Sequence, residues 1–376
     1  MSRVAGWQTY TKKLVEQIQL SDRKIVFIRL VITSYLSIKI FFMATDKQIE
    51  QEAFSIEHLK QCTGYNAKFI DDTTTVALDI LSEKQKANLP PVDGDAKNIL
   101  KYSAFSVLMN KKRRLPFVSA ANIDGKEKVQ IERKGNFATD PRIDEKFQLS
   151  NKFYDLIKGG ETEFDIGHMT SNNEMCWSDN ARLFAYETFH FTNAVPQAPK
   201  LNRGLWSGLE SYILDEAKSK KQLQRICVFT GPILKDDDPA YVKDETFLVP
   251  LMFWRIVVFK KKDGLHAVGF MMSHEERLRE MKLLKQSVKK IPKDAQAEDT
   301  SFETFPYKKV FQVNIEMIEK LTGLKFKWSK VKRVAVPNDK LQLKKITATT
   351  SSDDAKINSK EAKKKPADKV KLNMVL

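Results

Sequence analysis

The stretch FDIGHM (164–169) places His168 three residues after Asp165, with only Ile166 and Gly167 between them. Taken alone, this histidine is either a buried core residue at a strand end or a catalytic base. A second group sits in LNRGLWSGLE (201–210). There Asn202, Trp206 and Glu210 recur every fourth residue, which on a helix stacks an amide, an indole and a carboxylate in one column. The column borders the apolar stripe of Leu201, Leu205, Leu209 and Tyr212. Polar groups beside a core face need partners or a ligand. Between the two groups in the sequence lies TFHFTNAV (188–195), which contains Asn193 and is closed by PQAP.

The elements that must position these residues can be read around them. SAFSVLMN (103–110) and LPFVSAANI (115–123) flank the basic KKRR and predict a β-hairpin with a solvated tip. TFHFTNAV alternates and predicts a strand over 188–195, and LNRGLWSGLESYILDEAKSKK predicts an amphipathic helix over 201–221. RICVFTG, TFLVPLMFWRIVVF and LHAVGFMM predict three further strands, the last two joined at KKKDG. FQVNIEMIEKLTGLKF (311–326) predicts a last helix closed by Gly323, and the charged residues 274–300 predict an exposed helical insertion. This pattern is an α+β fold, organised as an N-terminal extension (1–99), a body (100–328) and a basic tail (329–376).

Composition bounds the function. The 376 residues are 42% hydrophobic, enough for a sizeable core, and carry a net charge of +16. Such a surface favours a polyanionic partner, nucleic acid or an acidic membrane face. From Trp328 onward there are 13 Lys and Arg against 5 Asp and Glu, so half of the excess belongs to the tail. That tail is low in aromatics and is expected to be disordered. Three widely spaced cysteines, Cys62, Cys176 and Cys227, with no C-x-x-C pair, argue against a zinc knuckle and for buried free thiols. The apolar segment 24–44 is broken by Lys24, Arg29 and Lys39 into runs too short to span a bilayer individually. Two readings stay open. If the segment is a targeting element, the protein is secreted or membrane-anchored; if Met43 is the start, it is cytoplasmic.

The motifs, in order, resemble the DNA/RNA non-specific endonucleases of the ββα-metal (His-Me finger) superfamily, the group that includes endonuclease G. The resemblance rests on Asp165-Ile166-Gly167-His168, Thr192-Asn193, Pro196-Gln197, Leu201-Asn202, Trp206 and Leu209-Glu210, and extends over roughly residues 100–328. It implies a ββα-metal nuclease domain with a central antiparallel sheet and flanking helices. It also implies a metal-dependent endonuclease for DNA and RNA, using Mg2+, with Mn2+ as a substitute, and a homodimeric assembly. By the same resemblance His168 is the general base, Asn202 the magnesium ligand, and Glu210 a holder of metal-bound water. Asn193 orients the site, and Arg133 contacts phosphate. One position departs from the pattern: the family arginine two residues before the histidine is Ile166 here. Arg182 and Arg203 are candidate substitutes. The departure leaves a second reading, a catalytically weak or inactive nucleic-acid-binding protein on a nuclease fold. The remaining histidines, His58, His190, His266 and His274, have no partner motif and are read as structural.

Overall fold

The computed structural model describes residues 46–157, 163–219, 224–285, 309–337 and 340–343. The apolar segment 24–44 and most of the basic tail lie outside the described residues, as do the expectations that fall on them. Among the described residues, no helix is long and apolar enough to cross a membrane. The chain divides into two units, Met1–Gln51 and Glu52–Leu376; the second carries everything that follows.

Its centre is a large, mostly antiparallel sheet. In chain order the strands are β1 (Leu100–Lys101), β2 (Phe105–Asn110), β3 (Leu115–Asp124), β4 (Asp165–His168), β5 (Ala194–Gln197), β6 (Arg225–Pro232), β7 (Met252–Lys261), β8 (Gly264–Ser273), β9 (Val310–Val313), β10 (Val331–Arg333) and β11 (Lys340–Leu343). The sheet runs β1-β2-β3-β6-β7-β8-β9-β11, with β10 added in parallel against β8. β4 and β5 stand apart as a two-stranded antiparallel pair. The hairpins at KKRR and KKKDG form as the alternating runs on either side require.

β2, β3 and β6 to β9 are buried along most of their length, because both faces of the sheet are covered. Alternation along β7 shows how the faces divide. Phe253 and Val257 enter the layer that holds β5 and the helix Ser207–Ser219, whereas Trp254 and Ile256 pack against Phe326 and Trp328 on the other side. Burying each such side chain contributes about 1.5–3 kcal/mol.

Four expectations are corrected. Residues 188–195 are not one strand. The helix Ala181–Glu187 runs into Thr188, a 3-10 turn covers Phe191–Asn193, and only then does β5 begin. The local reason is hydrogen bonding: Thr188 Oγ1 donates back to Ala185 O, and Asn193 Nδ2 donates to Thr188 O. The KKRR tip is not wholly solvated. Arg113 is buried, donating to Asp238 (2.8 Å) and to the carbonyls of Lys235 and Leu248. The body does not begin at 100. Val76, Ile80 and Leu81 lie in the second core layer, and the Trp328 indole donates to Ala77 O across 2.9 Å. The last helix, Ile315–Thr322, is shorter than expected because 310–313 is β9. Gly323 does close it, at φ 71.

Candidate active site

The site is built on a strand–strand–helix unit. β4 pairs with β5 so that His168 stands opposite Ala194 and Asp165 opposite Gln197. The backbone continues the tie past the strand end, where Met169 N–H donates to Asn193 O (2.8 Å). Gly167 is required by a close approach. A Cβ there would meet the Gln197 side-chain carbonyl oxygen at 2.2 Å. That crossing lets the strand bring His168 down into the layer without a side chain wedging the pair apart.

The chain then turns at Leu201–Trp206, a π-helical segment that leads into the α-helix Ser207–Ser219. Such wider turns are rare and concentrate at functional sites. Leu201 and Trp206 are buried on its inner side, leaving Asn202 and Arg203 on the outer one. Both return to β4. Asn202 Nδ2 donates to Asp165 Oδ2 (2.9 Å), and Arg203 forks onto the same carboxylate at 2.9 and 2.7 Å. With its NH2 group used in this way, the Asn202 amide presents its oxygen away from Asp165.

Glu210, one helical turn past Trp206, meets a buried cation. Arg255, on the site face of β7, is 0% exposed. Its guanidinium donates to Glu210 Oε1 (2.8 Å), to the fully buried Glu174, and to Met169 O (3.3 Å), and lies over the Trp206 ring at 4.9 Å. One cation thus serves the fully buried Glu174 and the partly exposed Glu210, a charge-assisted fork that fixes the helix, the loop after His168 and the sheet to one another. Burial raises the Glu210 carboxyl well above the usual carboxylate range. Glu174 adds to this, and Arg255 opposes it.

His168 is buried at 6% exposure, edge-on to Phe189 (5.0 Å between ring centroids) and tilted against Phe137 (4.7 Å). Burial pushes its pKa well below the ordinary histidine value, and the charge of Arg133 pushes it the same way. The imidazole is therefore neutral at neutral pH. Its Nε2 has no hydrogen-bond partner among the described residues. A buried, unsatisfied ring nitrogen is costly unless a ligand or water completes it. Arg133, whose guanidinium stands 5.9 Å from the Phe189 ring, acts electrostatically on both His168 and Glu210. Of the other two arginines considered, Arg203 is held on Asp165 and Arg182 donates to Glu132 O (2.7 Å). Ile166 shares the His168 face of β4, half-buried against the core.

Asn193 is fully buried, and its amide is fully engaged. It accepts from Ser119 Oγ and Thr170 N and donates to the carbonyls of Thr170 and Thr188. It ties β3 to the loop that follows His168. His190 and His274 are buried and bonded to backbone, and His266 pairs with Asp263, as the structural reading expects. Two site contributors carried no motif, Arg255 and Glu174; Asp165 stands in the histidine motif, but its part as an anchor for Asn202 and Arg203 was not read from it. Arg255 had one readable signal, a charge between Phe253 and Val257 on the apolar register of a strand.

Residues 85–333 match the profile of the DNA/RNA non-specific endonuclease family. The chain belongs to that family. The uncharacterized protein y4fB of Sinorhizobium fredii is 33% identical over 49% of this chain and 28% of its own length. Mitochondrial endonuclease G of Homo sapiens is 30% identical over 27% of this chain and 35% of its own. Mitochondrial nuclease EXOG of Danio rerio is 30% identical over 35% and 38%. This chain therefore spans well under half the length of these relatives. A crystal structure of an EndoG/EndoGI complex aligns over 61% of this chain and 84% of that chain, at 21% identity and a TM-score of 0.43.

Proposed function

We propose that the protein is a metal-dependent endonuclease that hydrolyses phosphodiester bonds in DNA and RNA with little sequence preference. The observation that carries this reading is the neutral, buried His168 with an unpartnered Nε2, set beside Arg133, in a member of a nuclease family. His168 Nε2 accepts a proton from the water whose oxygen forms the new bond to phosphorus, while the bond to the leaving oxygen breaks. A base with a depressed pKa is free of its proton at neutral pH, as this role needs. Arg133 supplies positive charge toward the phosphate oxygens.

The donor set fits a hard cation. The Asn202 amide oxygen is turned away from Asp165, and Glu210 follows about two turns on, in the helix that the π-helical segment leads into. Asn202 would hold Mg2+ directly and Glu210 through water. When bound, the ion would neutralise charge developing on the phosphate and stabilise the leaving oxygen. Asn193 and Arg255 do not face the substrate in this reading; they hold the His168 loop and Glu210 in place. Contacts to phosphate carry no base information, so cleavage is expected on DNA and RNA alike.

Ile166 favours one alternative, a nucleic-acid-binding protein with residual or no catalysis. Plasmid and RNA cleavage with magnesium and with EDTA distinguishes them, using wild type, His168→Ala and Asn202→Ala. Magnesium-dependent cutting lost in both variants supports the nuclease. DNA shifted in a low-salt gel without any cutting by wild type supports the binding protein.

A further inference from the structure

A second group of side chains able to ligate a metal shares no residue with this site. His58 sits in the helix Ile56–Gln61, and Cys62 caps its C-terminal end, so the two point to one side, a turn apart. Facing them is Glu187, the last residue of the helix Ala181–Glu187, with its carboxylate fully buried. His58 Nε2 lies 2.6 Å from Glu187 Oε1 and 3.4 Å from Cys62 Sγ, and Cys62 Sγ lies 3.8 Å from Glu187 Oε1. Ser103 fixes the carboxylate: its N–H donates to Oε2 (2.8 Å) and its hydroxyl to Oε1 (2.6 Å).

We propose that His58, Cys62 and Glu187 form a zinc site that fastens the N-terminal helix to the nuclease body. The same ring nitrogen faces both other donors, so the three atoms converge on one point instead of forming a relay. A tetrahedral zinc at about 2.0–2.3 Å from nitrogen, oxygen and sulfur separates its donors by roughly 3.3–3.8 Å. The two sulfur distances already fit that range, and only the His58–Glu187 pair has to open, by under about 1 Å. A thiolate with an imidazole and one carboxylate selects zinc over magnesium, which prefers an all-oxygen shell. Ser103 is the partner that orients a ligating carboxylate. Cys62 and His58 are only half-buried, which gives the ion an entry path from solvent. Binding displaces two protons to solvent, that of the Cys62 thiol and the one His58 Nε2 shares with Glu187. Two of the three ligands precede the family-matched residues 85–333, so this centre is not the nuclease site.

The test is titration of the full chain, purified free of metal, with Co2+ as a spectroscopic stand-in for zinc, followed by competition with Zn2+. Wild type should saturate at one equivalent with a thiolate-to-cobalt charge-transfer band that zinc abolishes. Cys62→Ser should lose the band and bind at least about 100-fold more weakly, while Cys176→Ser and Cys227→Ser keep it. Asn202→Ala should also keep it, which separates this centre from the nuclease metal. His58→Gln, with the thiol intact, should weaken binding as well. Wild-type protein showing no thiolate band at equimolar metal would overturn the proposal, as would a band that survives in Cys62→Ser.

Discussion

Asn202 and Asp165 are joined by a 2.9 Å hydrogen bond from the asparagine NH2 to the aspartate carboxylate, linking the first turn after β5 to the start of β4. This contact decides which end of the amide faces outward. Replacing Asp165 with Ala frees Asn202 to rotate and releases Arg203. The expected result is magnesium affinity weakened by about 10–100-fold, with saturating metal restoring much of the rate. A magnesium titration of cleavage by Asp165→Ala checks it; an unchanged midpoint would detach Asp165 from metal binding.

Removing the imidazole should have the larger effect on turnover. His168→Ala is expected to lower kcat by about 10²–10⁴-fold with little change in DNA retention at low salt. Cleavage rates and gel shifts on one preparation separate the two effects.

The pH profile follows from the depressed pKa of His168. If His168 is the base, as proposed, the protein should stay active as pH falls through 6.5 and lose activity only when His168 protonates at lower pH. Arg133 contributes to that depression. Arg133→Gln should therefore raise the pKa and move the acidic limb of kcat/KM to higher pH, whatever it does to the plateau. A limb that stays in place would mean that burial alone sets the proton affinity.

Arg255 is the strongest structural prediction. Arg255→Leu would leave the fully buried Glu174 without its cation and strip the partly exposed Glu210 of its partner, and loss of one partner from such a buried pair costs about 3–5 kcal/mol. Denaturant unfolding should show this, with Arg255→Lys recovering only part because an ammonium cannot reproduce the two-armed fork.

His274 gives a separate stability signal. It accepts from Ala198 N–H at Nδ1, donates to Pro250 O from Nε2, and burial lowers its pKa to about 4. The unfolded chain takes up this proton near pH 6.5, and the folded chain does so only near 4. Stability from this residue is therefore complete above 6.5 and falls as pH drops between those values, by a total on the order of 3 kcal/mol. The melting temperature of His274→Gln should decline less steeply across that window than that of wild type.

The strands and hairpins were legible because alternation and turn residues are local signals, and the order of the site motifs was legible because each spans only a few residues. What escaped depends on partners far apart in the chain. Arg255 lies 81 residues from Glu174 and 45 from Glu210, and His58 lies 129 from Glu187. His58 looked solitary for that reason. The alternation of TFHFTNAV was real in composition, but Thr188 and Asn193 spend their side chains on nearby backbone, and those bonds favour a turn over an extended strand. Likewise, nothing local shows that residues 65–81 supply a wall for the sheet's second face.

That wall sets a limit for anyone who trims the protein. Family similarity begins at residue 85, yet Tyr65 packs edge-on to Phe229 at 5.3 Å, Val76 and Ile80 are buried, and Lys325 N–H donates to Ile80 O. A fragment started at the similarity boundary would expose an aromatic slab around Phe229, Phe326 and Trp328 and is expected to come out of the cell as aggregate. The span shared with relatives and the span able to fold by itself are different lengths of the same chain.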